Sequence, residues 1–275
     1  MLLIMNRINI DLSFFGGCMG NKAGITIVAG SGGKGGTGKS ATLCNLAGVI
    51  ANRGLSVCIA DADTGNSSLG TNGTRAASNF GAQRQLMIEK GAEIPHIEVY
   101  AVSNEESIAE KIKAWRKVYD YVLIDPPGGV TKCLKTAIGL SDHILLPNMM
   151  NADEYVSLQE ILNLISSIEE AAEAAGYPMQ LDTRILPCRV PSNWRLDTDT
   201  FAGWYNAKRR SIAGLSGVKI PFSSNLAKTV SYGRTVSDKL KMQQWASPTK
   251  ERAHFELLLA ELAGERQPLV ARTTS

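Results

Sequence analysis

Gly33 to Ser40 reads G-K-G-G-T-G-K-S and satisfies every fixed position of G-x-x-x-x-G-K-[S/T], a loop pattern that holds phosphate. The chemistry is anion binding. Glycines let backbone N–H groups turn inward around phosphate oxygens, and the N-terminus of a following helix adds roughly half a positive charge. In that pattern Lys39 reaches the β- and γ-phosphates, and the Ser40 hydroxyl holds Mg²⁺. Carboxylates stand at the ends of two apolar runs elsewhere in the chain. Asp61 and Asp63 follow Ser56–Ala60, and Asp125 follows Tyr121–Ile124. The second is the Walker B form, in which Asp125 holds the hydration shell of the metal.

The elements that must position these groups can be read from hydrophobic spacing. Ile25–Ala29 is a short β-rich run before the loop, and Ala41–Asn52 carries Leu43, Leu46, Ala47 and Ile50 at helical spacing. Ser56–Ala60, His96–Val102, Tyr119–Asp125, Asp142–Leu146, Leu181–Leu186 and Val218–Pro221 read as further strands. Helices are expected over Ser107–Val118, Thr131–Leu140, Ala152–Ala175 and Pro248–Ala263. Residues 70–95 are weakly patterned, with a short helix over Gln83–Glu89 and with Arg75 and Arg84 facing solvent or a partner. Strands alternating with helices predict an α/β fold, a mostly parallel twisted sheet with helices on both faces. Right-handed crossovers would bring Gly33–Ser40, Asp61, Asp63 and Asp125 to one edge. The expected organisation is one domain over 22–264, an N-terminal extension over 1–21 and a polar tail over 265–275.

Composition narrows the class. The chain has 275 residues, 44% hydrophobic and 20% charged, with no apolar run of spanning length and no signal-peptide core near Met1–Phe15. Cys18, Cys44, Cys58, Cys133 and Cys188 are scattered without a C-x-x-C pair, which favours reduced thiols in the cytoplasm over a disulfide or zinc framework. His96, His143 and His254 are isolated and read as structural. Charge is uneven: Arg184–Arg252 is net +9, while the rest of the chain is net −6. A basic third on an acidic body fits an anionic polymer partner. Within it Trp194, Arg195, Trp204, Tyr205, Lys208, Arg209 and Arg210 interleave aromatic and basic side chains. That segment reads equally as a nucleic-acid grip or as a surface helix with its tryptophans packed inward.

K-G-G-T-G-K-S also resembles the deviant Walker A motif of the ParA/MinD ATPases, and most of all the ParA-type partition ATPases. The resemblance implies a P-loop NTPase fold and a role for Lys34 in trans, reaching the partner's phosphates across a nucleotide-sandwich homodimer. It implies nucleotide contacts at Gly33, Lys34, Gly35, Gly36, Thr37, Gly38, Lys39, Ser40 and Ala41. The catalytic set becomes Lys34, Lys39 and Asp63, with Asp63 orienting the attacking water and Ser40, Asp61 and Asp125 on the metal side. Pro126–Gly129 resembles the family's switch segment with one residue removed, and Thr229–Lys241 resembles its late segment. The expected cofactors are ATP and Mg²⁺. The expected partners are non-specific DNA, through Lys208, Arg209, Arg210, Arg234 and Lys241, and a stimulating adaptor of ParB type. The implied activity is ATP hydrolysis that positions a plasmid, chromosome or other cargo in the cytoplasm, on the nucleoid, without stable membrane binding. Three alternatives share the loop: a membrane-surface ATPase like MinD, an iron–sulfur carrier like the nitrogenase iron protein, for which Cys133 is the suggestive residue, and a metabolic ligase or kinase, against which Lys34 counts.

Overall fold

A computed structural model describes residues 24–32, 36–63, 65–66, 71–103, 108–191, 201, 203–221, 223–238 and 249–273. The N-terminal extension, Gly33, Lys34, Gly35, Trp194, Arg195 and Lys241 therefore lie outside the described residues.

The apolar runs form buried strands β1 (Ile25–Ala29), β2 (Val57–Asp61) and β6 (Tyr121–Asp125), inaccessible throughout except for a partly buried Ile25. With β5 (Glu98–Ala101), β7 (His143–Asn148), β8 (Asp182–Val190) and β10 (Ile220–Pro221) they build one sheet in the order β10-β8-β7-β1-β6-β2-β5. Every pairing in it is parallel, and the short β9 (Gly214–Leu215) also lies alongside β8. A two-residue hairpin, β3 (Gly65–Asn66) with β4 (Thr71–Asn72), stands apart.

Alternate strand residues feed two cores. On one face Ile27, Ile59 and Leu123 pack against α1 (Lys39–Asn52), α2 (Ala76–Glu89), α7 (Ser224–Ser231) and α8 (Thr249–Leu262). On the other, Val28, Val122 and Ile124 meet α3 (Ile108–Trp115), α4 (Lys132–Gly139) and α5 (Ala152–Ala174). The short α6 (Ala207–Arg210) buries none of its own residues and follows Phe201, Trp204 and Tyr205, which pack on the second face. Truncating a fully buried residue such as Leu123 to Ala would cost about 2–5 kcal/mol. The helices thus lock the strand ends that carry the polar residues.

Two expectations change. The weakly patterned stretch holds a 14-residue helix, α2, rather than a seven-residue one, and its Arg84 is 1% exposed. The strand expected at Leu181–Leu186 runs on to Val190, which carries Cys188 and Arg189 to the sheet edge where the loop sits. At the other end, residues beyond α8 dock against the body. Val270 bridges Leu215, and Arg272 pairs with Glu169 at 2.7 Å.

Candidate functional site

The phosphate-loop pattern lies between β1 and α1, as its flanking runs require. Gly38 immediately precedes α1 with φ 98°, a left-handed conformation that only glycine adopts cheaply. No side chain caps α1 and no acidic residue occupies its first turn, so its leading N–H groups remain available to an anion. The Lys39 ammonium donates to Ser31 Oγ at 3.1 Å, which holds it along the loop.

Parallel register brings the carboxylates together. Asp61 pairs in register with Asp125, because β2 and β6 are neighbours, and both are buried. Their surroundings differ. Asp61 Oδ2 accepts from the Ser78 backbone N–H at 2.7 Å and its hydroxyl at 2.6 Å, and Oδ1 accepts from the Asp63 N–H at 3.1 Å. Both Asp125 oxygens are buried with no hydrogen-bond partner among the described residues. Burial pushes the Asp125 carboxyl up to about 7; the nearby Ser40 hydroxyl and Lys39 pull it down, while Asp61 and Asp63 raise it. Ser40 is the hydroxyl whose interaction lowers the Asp125 carboxyl. Thr37 Oγ1 is a further buried hydroxyl without a partner there.

Ionising a bare, buried carboxyl of this kind is costly unless something cationic meets it. Mg²⁺ fits that requirement, with Ser40 and Asp125 as the residues to hold it; when bound, it neutralises phosphate charge. Asp61, placed on the metal side by sequence, has its two oxygens engaged in holding the loop and the first turn of α2. Asp63 is half-buried, and its Oδ2 accepts from the Thr74 hydroxyl at 2.7 Å.

A cavity of about 580 Å³ opens from the loop between α1, β8, β10 and α7. Gly36–Thr42, Asn45, Asp63, Thr74 and Gly128 line its polar end, and Cys188, Ile220, Pro221, Leu226, Val230 and Phe255 its apolar end. Its shape, anion-binding at one end and apolar at the other, suits a nucleotide with its base away from the loop.

Sequence reasoning missed Arg189. It lines the cavity, adopts φ 56°, uncommon for a non-glycine residue, and donates from Nη1 to the Gly36 carbonyl at 2.8 Å. Nothing in the spacing of apolar residues signals a positive φ. Asn45 was missed too, although a polar residue among the buried Leu43, Cys44 and Leu46 was a usable signal. Its Oδ1 accepts from the Val236 N–H at 2.9 Å.

The candidate DNA residues divide. Lys208 and Arg210 are exposed. Arg209 is not available in the same way: its guanidinium lies 4.5 Å from the Trp204 ring centroid and bonds the Trp204 carbonyl and Gln159. Trp204 stacks on Tyr155 of α5 at 4.9 Å, so this tryptophan packs inward. Arg234 is half-buried, within a segment held by α1 and α2. Much of the positive run is spent internally, as Arg184 pairs with Asp182 at 2.7 Å and lies 3.5 Å from the buried Glu261.

A parallel sheet with a phosphate loop after its central strand and a Walker B aspartate on the adjacent one defines a P-loop NTPase. The family profile described as the CobQ/CobB/MinD/ParA nucleotide binding domain matches residues 28–236. The chain belongs to that family. It is similar to a ParA family protein of Mycoplasma genitalium, 28% identical over 145 residues, 52% of this chain and 49% of that one. It also resembles an uncharacterized ATP-binding protein of Methanocaldococcus jannaschii, 27% identical over 172 residues, 56% of this chain and 61% of that one. The match thus spans about half the length of these curated relatives. Among solved structures, the ATP complex of a Cyanothece McdA variant shares the fold with TM-score 0.59 at 18% identity, covering 90% of this chain and all of that one. MinD in the Aquifex aeolicus MinC:MinD complex does so with TM-score 0.58 at 17% identity, over 90% and 100%.

Proposed function

We propose that the protein binds ATP with Mg²⁺, dimerises around it, hydrolyses it slowly and uses the cycle to position a DNA-associated cargo, in the manner of a ParA-type partition ATPase. The observation that carries this reading is the pair of Asp125 oxygens buried without a partner among the described residues, near Ser40 at the uncapped N-terminus of α1. Lys39 would anchor the terminal phosphates, and Ser40 and Asp125 would hold the cation. Asp63 would orient water for in-line attack, accepting a hydrogen bond from it while Thr74 fixes the carboxylate. Lys34 is assigned the charge supplied in trans. Hydrolysis is then mostly positioning and charge neutralisation.

For DNA, the reading rests on Lys208 and Arg210 at the surface, with Lys241 beyond the described residues. A pNOB8 ParA with this fold, TM-score 0.52 at 13% identity, is described as bound to nonspecific DNA. A membrane-surface role gains no support from α8, whose Phe255, Leu258, Leu259 and Leu262 are buried in the core and whose Glu261 accepts from the Gly217 N–H.

Isothermal titration with ATP, with and without Mg²⁺, followed by light scattering and salt-dependent duplex binding, tests the proposal in order. ATP binding that ignores Mg²⁺ would remove its basis. ATP-dependent dimers without any DNA affinity would remove the partition role alone.

A further inference from the structure

Arg84 and Asp238 form a buried fork, each side chain 1% exposed, with Nη1 to Oδ2 at 2.8 Å and Nη2 to Oδ1 at 2.9 Å. Two further donors are committed: Nη1 reaches the Gly233 carbonyl at 3.1 Å and Nε the Pro95 carbonyl at 2.9 Å. Asp238 Oδ2 in turn accepts from the Thr235 N–H at 2.7 Å. Gly233 has φ 69°, and a Cβ built on it would fall 2.2 Å from the Arg84 backbone nitrogen, so residues 233–238 lie directly on α2.

Those same residues grip α1. The Val236 N–H donates to Asn45, which lines the cavity, and a Cβ on Gly48 would fall 2.2 Å from Thr235 Oγ1. At the other end of α2, Ser78 in its first turn holds Asp61, and Thr74 just before it holds Asp63. Ser78 and Arg84 are six residues apart, about 9 Å along a rigid helix. The chain of contacts therefore runs from the carboxylate-bearing strand end, through α2, to segment 233–238 and back to the helix after the phosphate loop.

We infer that Arg84 and Asp238 are positioning residues: their fork sets where α2 sits, and so where Asp63 points. A partner pulling on segment 233–238 would be felt at Asp63 through this pair, and a ligand that reorders Asp63 would be felt at 233–238. A fork suits this task because a bidentate guanidinium–carboxylate pair fixes angle as well as distance, which an apolar contact of equal burial does not. The inference rests on the role proposed for Asp63, but its first test does not.

Native-state hydrogen exchange on the unmodified protein should find the Thr74 and Ser78 amides opening in one cooperative unit with those of Thr235 and Val236. Independent opening of the two groups overturns the inference. Arg84→Lys keeps the charge and loses the fork. It should speed exchange at Thr74 and Ser78 at least tenfold, leave the β7 and β8 amides unchanged, and lower kcat about tenfold at constant KM. Unchanged exchange at residues 74–78, or a change in KM alone, overturns it as well. If Arg84→Lys does not fold, the exchange pattern of the unmodified protein decides. An unmodified protein with no ATP turnover would instead sink the proposed function and leave the exchange result standing.

Discussion

Asp61 and Asp125 face each other in register on neighbouring parallel strands, both out of solvent, yet among the described residues the Asp61 carboxylate accepts three hydrogen bonds and that of Asp125 none of ordinary geometry. The difference comes from the loops. The chain after Asp61 turns back so that its own N–H groups and the start of α2 meet the carboxylate. The chain after Asp125 passes into Pro126-Pro127, which has no N–H to offer. One aspartate is structural glue in this conformation, and the other is left as a strong, empty acceptor.

Asp125→Asn should therefore stabilise the nucleotide-free protein while damaging the site. A carboxyl whose folded pKa is raised from 3.8 to about 7 costs stability progressively as pH rises through that window. At pH 8 the substitution should gain about 2 kcal/mol, or several degrees in Tm, and the gain should vanish near pH 4. Mg²⁺ should no longer strengthen ATP binding. Calorimetric melts at both pH values check the first half and titration the second; a lower Tm at pH 8 would contradict this account of the charge.

Arg189→Ala should loosen the phosphate loop. Losing its bond to the Gly36 carbonyl removes an anchor worth about 1–1.5 kcal/mol, roughly tenfold in nucleotide affinity. Fluorescent-nucleotide titration reads this directly, and an affinity equal to the parent's would show the contact to be incidental.

The three adjacent basic residues of α6 should separate by role. Changing Lys208 and Arg210 together to Glu should weaken duplex binding and reduce the slope of log K against log salt by about 2. Arg209→Ala should instead lower stability by about 1–2 kcal/mol, since it leaves the Trp204 face and Gln159 without their partner. Urea melts and salt-titrated binding on both variants distinguish the two; a DNA defect confined to Arg209→Ala would reverse the assignment.

Acid should weaken the far end of the sheet through Asp182. Burial raises its pKa, but hydrogen bonds from His143 and Arg184 outweigh that and hold it at about 2. A depressed pKa means that the contribution is complete above about pH 4 and disappears as pH falls toward 2. With the Asp182 side chain 39% exposed, solvent screening trims it to about 1 kcal/mol. Asp182→Asn should therefore be less stable than the parent at pH 7 and indistinguishable at pH 2, as followed by denaturant melts.

The main parallel strands, most of the helices between them, the phosphate-loop pattern and the position of Asp125 at the end of a buried strand were legible in the sequence, because each depends on local spacing or on a motif read residue by residue; the short β3, β4 and β9 and the helix α7 were not. The extent of α2 was not. Its buried contacts are only Ala77, Phe80 and Arg84, and an arginine in a core position reads as a surface residue until its carboxylate partner 154 positions later is brought to it. Arg209 likewise reads as a free charge in the sequence, while the aromatic face it stacks on is assembled from two separated elements.

By itself the sequence determined the class of chemistry, since a glycine loop before a helix binds phosphate wherever a strand delivers it. Only the tertiary structure decided which charged side chains remain available for that chemistry. Asp61, Arg84, Arg184 and Arg209 each find at least one partner far along the chain, at Ser78, Asp238, the Glu261 carbonyl and Gln159, whereas Asp125 is buried with nothing described to answer it. The reason is that a charge is neutralised by whatever lies within a few ångströms in space. Neighbours along the chain reveal little about those contacts.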